Sequence, residues 1–160
     1  MDKPTLLARI VETLVRDEEV LRRAAQAAYE AATAEENIAE NKYDTLSLEA
    51  SYLATGQARR TAEIRQSLLA YQQLLLRDYD PARGIQISNL VTLEDESGDR
   101  RLLFLGPEAA GLKIGSGDEQ VTVITPRSPL GQQLLGKKVD DEVSLMVAAV
   151  AQVQVVVEVV

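Results

Sequence analysis

The residues of this sequence best suited to chemistry form a run of oxygen-bearing side chains between two apolar patterns. They are Glu35, Glu36, Asn37, Glu40 and Asn41. The chain contains no His and no Cys, so the commonest general base and all thiolate ligands are excluded. Any catalysis must use carboxylates, lysines, tyrosines or hydroxyls, and any bound metal must be a hard cation such as Mg²⁺. One interpretation of the run is therefore a site whose oxygen atoms act on such a cation. The alternative interpretation is a solvated polar turn with helix caps.

Charge and composition exclude several other function classes. Among 160 residues there are 17 Lys and Arg and 25 Asp and Glu, which gives a formal net charge of −8. This balance argues against general binding to phosphate backbones or to anionic membranes. With no Trp and a single Phe, the chain has too few rings for a platform that stacks nucleic-acid bases. The first residues lack the apolar core of a signal peptide, so we expect a cytoplasmic protein that does not bind membranes.

A change in composition near residue 80 predicts two domains. Residues 5–78 contain no Pro and one Gly, whereas residues 81–160 contain four of the five Pro and eight of the nine Gly. Because Pro and Gly interrupt helices and mark turns, the first half is predicted to be helical and the second to be strands with turns. We therefore predict a helical domain at residues 1–80 and a second domain at residues 81–160.

Two apolar stripes at helical spacing predict the architecture of the first half. The first stripe is Leu7, Ile10, Leu14, Leu21, Ala24, Ala28 and Ala31, and the second is Leu46, Ala50, Leu53, Gln57, Ile64, Leu68, Tyr71 and Leu75. Neither stripe has a globular core to face within its own half, so we expect the two helices to pack together as an antiparallel hairpin of coiled-coil type. Arms of about 35 residues would be about 50 Å long.

Short β-prone segments separated by turns predict a sheet domain in the second half. The expected strands are residues 85–93, 102–105, 121–125, 143–146 and 150–160. Ser128 and Pro129 are typical of an N-cap and a first helical position, so a short helix is expected from there to Gly136. One helix on an antiparallel sheet predicts an α+β domain. The nearly uncharged C-terminal segment is expected to be paired inside the sheet, because it would aggregate at an edge.

The second half also carries several motifs in a fixed order. They are Asn89-Leu-Val-Thr-Leu-Glu-Asp95, Phe104-Leu-Gly-Pro107, Ser128-Pro-Leu-Gly131, Leu134-Leu-Gly-Lys137 and Asp140-Asp-Glu-Val143. Together they resemble the C-terminal domain of the Gre family of bacterial transcription factors. The resemblance implies an FKBP-like fold that docks on RNA polymerase around the mouth of its secondary channel. The docking residues that it implies are Ser128, Pro129, Leu130, Gly131 and Lys137, although Lys137 could equally be an exposed turn lysine.

The segment Asn37-Ile-Ala-Glu-Asn41 resembles the tip of the Gre helical hairpin, which reads Asp-Leu-Ser-Glu-Asn. In that family the tip enters the secondary channel, and its carboxylates help to hold a second Mg²⁺ at the polymerase active site. The resemblance assigns this catalytic support to Glu40, with Asn37 in place of the family Asp and Glu36 or Glu35 as a substitute for the missing charge. The protein would bind no cofactor alone and would share Mg²⁺ with the polymerase through Glu40.

The function implied by the resemblance is stimulation of the polymerase's own cleavage of backtracked RNA, so the protein would not itself be an enzyme. Its partners would be core RNA polymerase and, indirectly, the 3′ end of the nascent RNA. Arg59 and Arg60 could lie near that RNA, or they could belong to a solvated helix face.

Two alternatives to the cleavage function stay open. The protein could regulate the channel without cleavage, as Rnk-like and anti-cleavage relatives do, or it could be an interaction module that does not bind polymerase.

Overall fold

The structure is a computed structural model that describes residues 1–33 and 44–160, with side chains at residues 1–31 and 52–160. Within these ranges two long helices are followed by six strands, a short 3-10 helix and one further short helix. The expected α+β organisation, with a helical hairpin before a sheet domain, is confirmed. None of the described helices is both long enough and apolar enough to cross a membrane.

The first long helix, α1 (Lys3–Thr33), begins at a capped end. The Oδ1 atom of Asp2 accepts a hydrogen bond from the Thr5 amide at 2.7 Å, and hydrogen bonding to Thr5 lowers the pKa of the Asp2 carboxyl. Pro4 lies in the first turn, where its missing N–H leaves no helical bond unmade. The predicted start of the helix is therefore confirmed.

The second long helix, α2 (Asp44–Gln72), runs antiparallel to α1. Contacts group Glu12–Leu68 into one unit, and within it Arg65 Nε donates to Glu18 Oε1 at 3.1 Å across 47 positions of sequence. Among the side chains of this unit that the structure describes, the buried apolar ones are Leu14, Ile64 and Leu68. The ion pair between Arg65 and Glu18 joins the two arms of the predicted hairpin.

A second unit combines Met1–Val11 with Leu69–Val160. Its buried helical residues are Leu6, Ile10 and Tyr71. The Tyr71 hydroxyl donates to the Glu108 carbonyl oxygen at 2.7 Å, and burial raises the pKa of this phenol. The bond holds the last turn of α2 on the sheet domain, so the helix end and the sheet form one packed body.

The buried stripes are shorter than the sequence predicts. In α1 the buried position is Leu6, whereas the predicted Leu7 is half-buried. The predicted stripe members that are exposed are Ala24, Ala28, Ala31, Leu53 and Leu75. Leu75 also follows the end of α2, and the side chains of Leu46 and Ala50 lie outside the described residues. Because an alanine methyl offers little apolar area, the alanine-rich part of α1 favours helix without forming a buried seam.

The sheet contains six of the described strands. They are β1 (Leu90–Glu94), β2 (Arg100–Leu105), β3 (Lys113–Ile114), β4 (Val121–Ile124), β5 (Glu142–Val147) and β6 (Val150–Val159), in the spatial order β3-β4-β2-β1-β6-β5. The pairs β1–β2, β1–β6, β3–β4 and β5–β6 are antiparallel, but β2 and β4 are parallel. The prediction of a purely antiparallel sheet is therefore wrong, because the sheet is mixed. The chain between β2 and β4 passes through β3 and crosses over, so β4 runs in the same direction as β2.

The strand predicted at residues 85–93 is wrong in its first half. Ser88 has φ +82, a left-handed conformation that ends an extended run, and β1 begins only at Leu90. The Ile85 amide instead donates to the Lys137 carbonyl oxygen at 2.8 Å. Ile85 is nevertheless fully buried in the core. The other four predicted strands agree with β2, β4, β5 and β6 to within two residues.

The sheet packs one face against a short helix, α3 (Pro129–Leu134). Leu134 is fully buried, and Leu130 and Tyr79 are half-buried against the same cluster. The buried core residues are Ile85, Val91, Leu93, Leu103, Leu105, Ile124, Leu134, Val143, Val156 and Val159. This core fixes α3, and with it the motif that the sequence singled out for docking.

Candidate functional site

The predicted tip residues Glu36, Asn37 and Glu40 lie outside the described residues, as does Glu35, so their role stays a prediction. Carboxylates and an amide offer only oxygen atoms, which suit Mg²⁺ and do not suit a softer metal. In the part of the chain that the structure describes, no cluster of His, Cys, Asp or Glu could hold a metal ion. The residue types of the segment 35–41 therefore fit Mg²⁺.

The two predicted RNA-proximal arginines lie on the exposed surface of α2. Arg59 and Arg60 are both exposed, and Arg60 Nη1 lies 3.5 Å from Glu63 Oε2. Exposed pairs one turn apart contribute only about 0.3–0.5 kcal/mol. A polyanionic partner could therefore displace Glu63 from Arg60 at little cost, so both the RNA-proximal role and the solvated-face alternative stay open.

A stronger charge cluster lies on α1. Glu19 Oε1 accepts hydrogen bonds from Arg22 at 2.7 Å and from Arg23 at 2.9 Å. These bonds, with the Arg22 bond as the larger cause, lower the pKa of the Glu19 carboxyl to about 2. Glu19 therefore stays ionised at neutral pH, and its single negative charge offsets half of the positive charge of the two arginines.

The Ser128–Gly131 motif starts α3. Ser128 Oγ accepts a hydrogen bond from the Gly131 amide at 3.1 Å and donates one to the Thr125 carbonyl oxygen at 2.8 Å. Pro129 occupies the first helical position, where its fixed φ suits the helix. The predicted N-cap and first-turn proline are therefore confirmed.

Close packing explains two further residues of the motif. A Cβ atom at Gly131 would lie 1.9 Å from the Thr125 carbonyl oxygen, so only glycine allows α3 to approach this backbone so closely. Leu130 is half-buried against the sheet core. Pro129 is the exposed member of the motif. Ser128, Leu130 and Gly131 therefore shape this surface, and Pro129 presents a side chain on it.

Lys137 is positioned by backbone pairing with the first residues of the sheet domain. Its carbonyl oxygen accepts from the Ile85 amide at 2.8 Å, and the Gly136 amide donates to the Ile85 carbonyl oxygen at 2.9 Å. Gly84 packs so closely here that a Cβ atom would lie 2.3 Å from the Gly136 carbonyl oxygen. The Lys137 side chain is half-buried, and the next residue, Lys138, is exposed. This pairing fixes Lys137 just beyond α3, and its docking role stays a prediction.

The comparison with protein families covers the region that contains all of these contacts. Residues 80–160 match the family described as transcription elongation factor, GreA/GreB, C-term. The chain belongs to the GreA/GreB family. This membership confirms the resemblance of the second half to the C-terminal domain of the Gre family. The resemblance of Asn37–Asn41 to the Gre tip lies outside the matched residues, and the tip assignment, the docking residues and the FKBP-like description of the domain stay predictions.

Similar solved structures include transcription factors of this family and relatives of it. Thermus aquaticus Gfh1 is 22% identical, with 92% of both chains covered and a TM-score of 0.40. Thermus thermophilus Gfh1, described as GreA factor homolog 1, is 23% identical, with 93% of both chains covered and a TM-score of 0.36. GreA/GreB from Nitrosomonas europaea is 20% identical over 60% of this chain and 78% of that chain, with a TM-score of 0.38. The comparison with curated proteins gives no match.

A buried polar cluster in the sheet domain was missed by the sequence reasoning. Asn89 Nδ2 donates to the carbonyl oxygens of Arg77 and Val160, each at 3.3 Å, and Asn89 Oδ1 accepts from the Gln86 amide at 2.7 Å. Lys3 Nζ also donates to the Arg77 carbonyl oxygen, and burial lowers the pKa of this ammonium group. These bonds fix the segment between α2 and β1. The one available signal was the position of Asn89 at the start of a Gre-like motif.

Asp140 lies at a turn in a backbone conformation that favours glycine. Its φ is +76 and its amide donates to the Val156 carbonyl oxygen at 2.7 Å, so the left-handed conformation is fixed by the sheet. We expect Asp140→Gly to raise the free energy of unfolding by about 0.5 kcal/mol, because relief of backbone strain exceeds the added flexibility of the unfolded chain. Urea unfolding followed by far-UV circular dichroism measures the change. A loss of stability as large as that of Asp99→Gly, which has no positive φ, would contradict this account.

Proposed function

We propose that this chain is a bacterial transcription elongation factor that binds RNA polymerase at its secondary channel and stimulates cleavage of backtracked RNA. The observation that carries the proposal is the GreA/GreB family match over residues 80–160. An antiparallel helical hairpin precedes this domain, in the order that the Gre family uses. Such a factor would work in the cytoplasm, bound to core polymerase.

The sheet domain would dock on the polymerase. Its motif is rigid, because Ser128 caps α3 and Gly131 packs on the Thr125 carbonyl oxygen. Pro129 and Lys137 offer an exposed ring and a cation on elements whose backbone is fixed. Rigid presentation lowers the ordering cost of binding, so these two side chains are the best candidates for direct contact.

The helical hairpin would enter the channel. Helices of 31 and 29 residues correspond to about 46 and 44 Å at 1.5 Å per residue. The ion pair between Glu18 and Arg65 joins the two arms near their base. The alanines of α1 would keep the distal part slender, since their side chains are small and exposed.

The chemistry would belong to the polymerase, and this chain would supply oxygen ligands. Glu40 and Glu36 would hold a Mg²⁺ shared with the polymerase active site, and Asn37 would contribute a neutral oxygen beside them. The bound metal would activate water for hydrolysis of the RNA. The protein residues would position the metal and would not form a covalent bond with RNA.

The decisive experiment adds the protein to stalled, backtracked polymerase complexes and follows the RNA 3′ end on a gel. We expect release of short 3′ fragments, and we expect Glu40→Ala to slow it at least about tenfold, because loss of even an outer partner of a metal ligand typically costs about 10- to 100-fold. Glu12→Ala, which removes an exposed carboxylate near the base of α1, is the matched control and should cleave like the native protein. Cleavage that survives Glu40→Ala unchanged would contradict the role of the tip.

A second candidate is a regulator that occupies the channel without stimulating cleavage, and Asn37 favours it. Replacing a carboxylate with an amide removes a full negative charge from a divalent-metal site. If the native protein releases no RNA fragment but Asn37→Asp does, the non-cleaving version is correct. A pull-down with core polymerase tests both versions together, because a protein that is not retained would contradict both and favour an interaction module that does not bind polymerase.

A further inference from the structure

The first half of β6 has an open edge. On one side β6 pairs with β5 along Val150–Val155, but on the other side β1 reaches only as far as Val155, which pairs with Glu94. After Glu94 the chain turns away at Asp95–Asp99. Among the described strands, none lies beside Val150–Gln154 on this side. The expectation that the C-terminal segment is paired inside the sheet is therefore confirmed only for its second half.

The register shows which backbone groups face the open side. Ala148-Ala149 have φ of 51 and 65 and form a two-residue turn of the hairpin type, so Val147 and Val150 exchange hydrogen bonds. Bonded residues alternate along an antiparallel ladder. Ala151 and Val153 therefore direct their N–H and C=O groups away from β5, toward the open side.

The strands of the hairpin themselves carry neither the charges nor the proline that usually protect an edge strand. Residues 143–157 contain no charged side chain and no Pro. The exposed apolar side chains of the hairpin are Met146 (70%), Val147 (49%), Val150 (62%) and Val153 (36%). Natural edge strands are normally blunted by charge, proline or a covering segment. An uncharged open edge flanked by apolar side chains is a template for an added strand.

The opposite edge of the same hairpin, formed by β5, is covered by a side chain of α3. Gln133 on α3 donates through Nε2 to the Ser144 carbonyl oxygen at 2.7 Å and accepts from the Ser144 amide through Oε1 at 2.9 Å. One side chain thus imitates a neighbouring strand along β5. No described residue makes the equivalent bonds to Ala151 and Val153 on the open side of β6.

A cavity of about 290 Å³ adjoins the open edge and gives it a charge preference. It is lined by Asp95, Glu96, Ser97 and Val150–Val153. Asp95 Oδ1 is held within the turn by the amides of Ser97 and Asp99, each at 2.9 Å, whereas Glu96 is exposed. These carboxylates and the net charge of −8 favour a basic occupant over a second copy of this acidic chain.

We propose that the open edge of β6 binds an extended peptide segment that carries Lys or Arg. The peptide adds a strand beside Val150–Val153, bonds to the outward groups of Ala151 and Val153, and places its basic side chain against Glu96. This surface is separate from the Ser128–Gly131 motif. The proposal therefore does not depend on the proposed function.

The test uses the full chain and two synthetic peptides with blocked ends, a shared alternating Val-Thr core, and either Lys-Lys or Glu-Glu at one end. Fluorescence anisotropy of the labelled peptides measures binding. We expect the Lys peptide to bind at least about tenfold more tightly than the Glu peptide. We expect Glu96→Gln to weaken the Lys peptide about two- to fivefold and to reduce its salt dependence.

A second variant tests the added strand itself. Val153→Pro removes an N–H that points away from β5, so it breaks no bond within the sheet, and we expect it to weaken the Lys peptide about three- to tenfold. Val139→Thr, which changes an exposed residue away from this edge, is the control and should bind like the native chain. Amide exchange at Ala151 and Val153 should slow when the Lys peptide is added.

Three outcomes would overturn the proposal. They are equal binding of the two peptides, no binding of either, and binding of the Lys peptide that neither Glu96→Gln nor Val153→Pro weakens. Sedimentation of the peptide-free chain as a dimer that Val153→Pro converts to monomer would instead identify a second copy as the occupant. If Val153→Pro fails to fold, the peptide pair and Glu96→Gln still decide the result.

Discussion

Replacing Gly84 with alanine is expected to lower the free energy of unfolding by about 3 kcal/mol. Two costs combine at this position. The backbone has φ +78, which costs an L-residue about 1 kcal/mol. A Cβ atom would also lie 2.3 Å from the Gly136 carbonyl oxygen, and overpacking of this kind costs about 1–3 kcal/mol. Because the obstacle is backbone, no side-chain rotation can relieve it.

Gly98 provides the matched control for this prediction. Its φ is +85, but a Cβ atom there would meet nothing within 4 Å. Gly98→Ala should therefore cost only the conformational part, about 1 kcal/mol. Urea unfolding of both variants, followed by far-UV circular dichroism, measures the difference. Equal losses would show that the contact between Gly84 and Gly136 does not constrain the start of the sheet domain.

The Gly84 result also bears on the docking surface. The Gly84–Gly136 contact adjoins the Ile85 bonds that place Lys137 beyond α3. If the sheet domain docks on polymerase as proposed, a Gly84→Ala protein that still folds should bind polymerase more weakly than the Gly98→Ala protein, because the backbone that carries Lys137 must shift. Binding that falls equally in both variants would assign the loss to general stability.

Replacing Gly106 with alanine is expected to cost about 2 kcal/mol, because a Cβ atom would lie 2.1 Å from the hydroxyl oxygen of Tyr71. Tyr71 is 1% exposed and its hydroxyl donates to the Glu108 carbonyl oxygen, so the ring cannot move without losing this bond. The two residues together fix the last turn of α2 on the sheet domain.

A double-mutant cycle tests this contact directly. Tyr71→Phe should cost about 1 kcal/mol through the lost hydrogen bond. It also removes the atom that the new methyl group would strike, and the ring carbon behind it lies 3.1 Å away. The double variant should therefore be more stable than the sum of the single losses by about 1 kcal/mol. Additive losses would show that Gly106 is required for another reason.

In the helical hairpin, the periodicity of apolar residues predicts where the helices lie but not which residues are buried. The positions of both helices follow from the absence of Pro and from apolar spacing, and both helices are present. Burial did not follow the same rule, because Ala24, Ala28 and Leu53 match the spacing and yet are exposed. Spacing assigns a residue to a face of a helix, whereas burial depends on how much apolar area the facing helix supplies.

In the candidate site, too, some features could be predicted from the sequence and others depend on the tertiary structure. The cap at Ser128 and the start of α3 at Pro129 were predicted, because capping is a bond between neighbours in sequence. The reason for Gly131 was not predicted, since it depends on the Thr125 carbonyl oxygen at a packed turn. The tip acids Glu36 and Glu40 come from a resemblance of residue types, and they stay a prediction.

The sequence by itself determined the elements whose bonds are local: the two long helices, α3 with its Ser128 cap, and the positions of four of the strands. It also indicated the family, because the motifs and their order can be recognised in the sequence without a structure. Only the tertiary structure decided the parallel pairing of β2 with β4, the left-handed Ser88 and the open edge of β6. These features arise between segments distant in sequence, where the pairing of one strand depends on which others already occupy its edges.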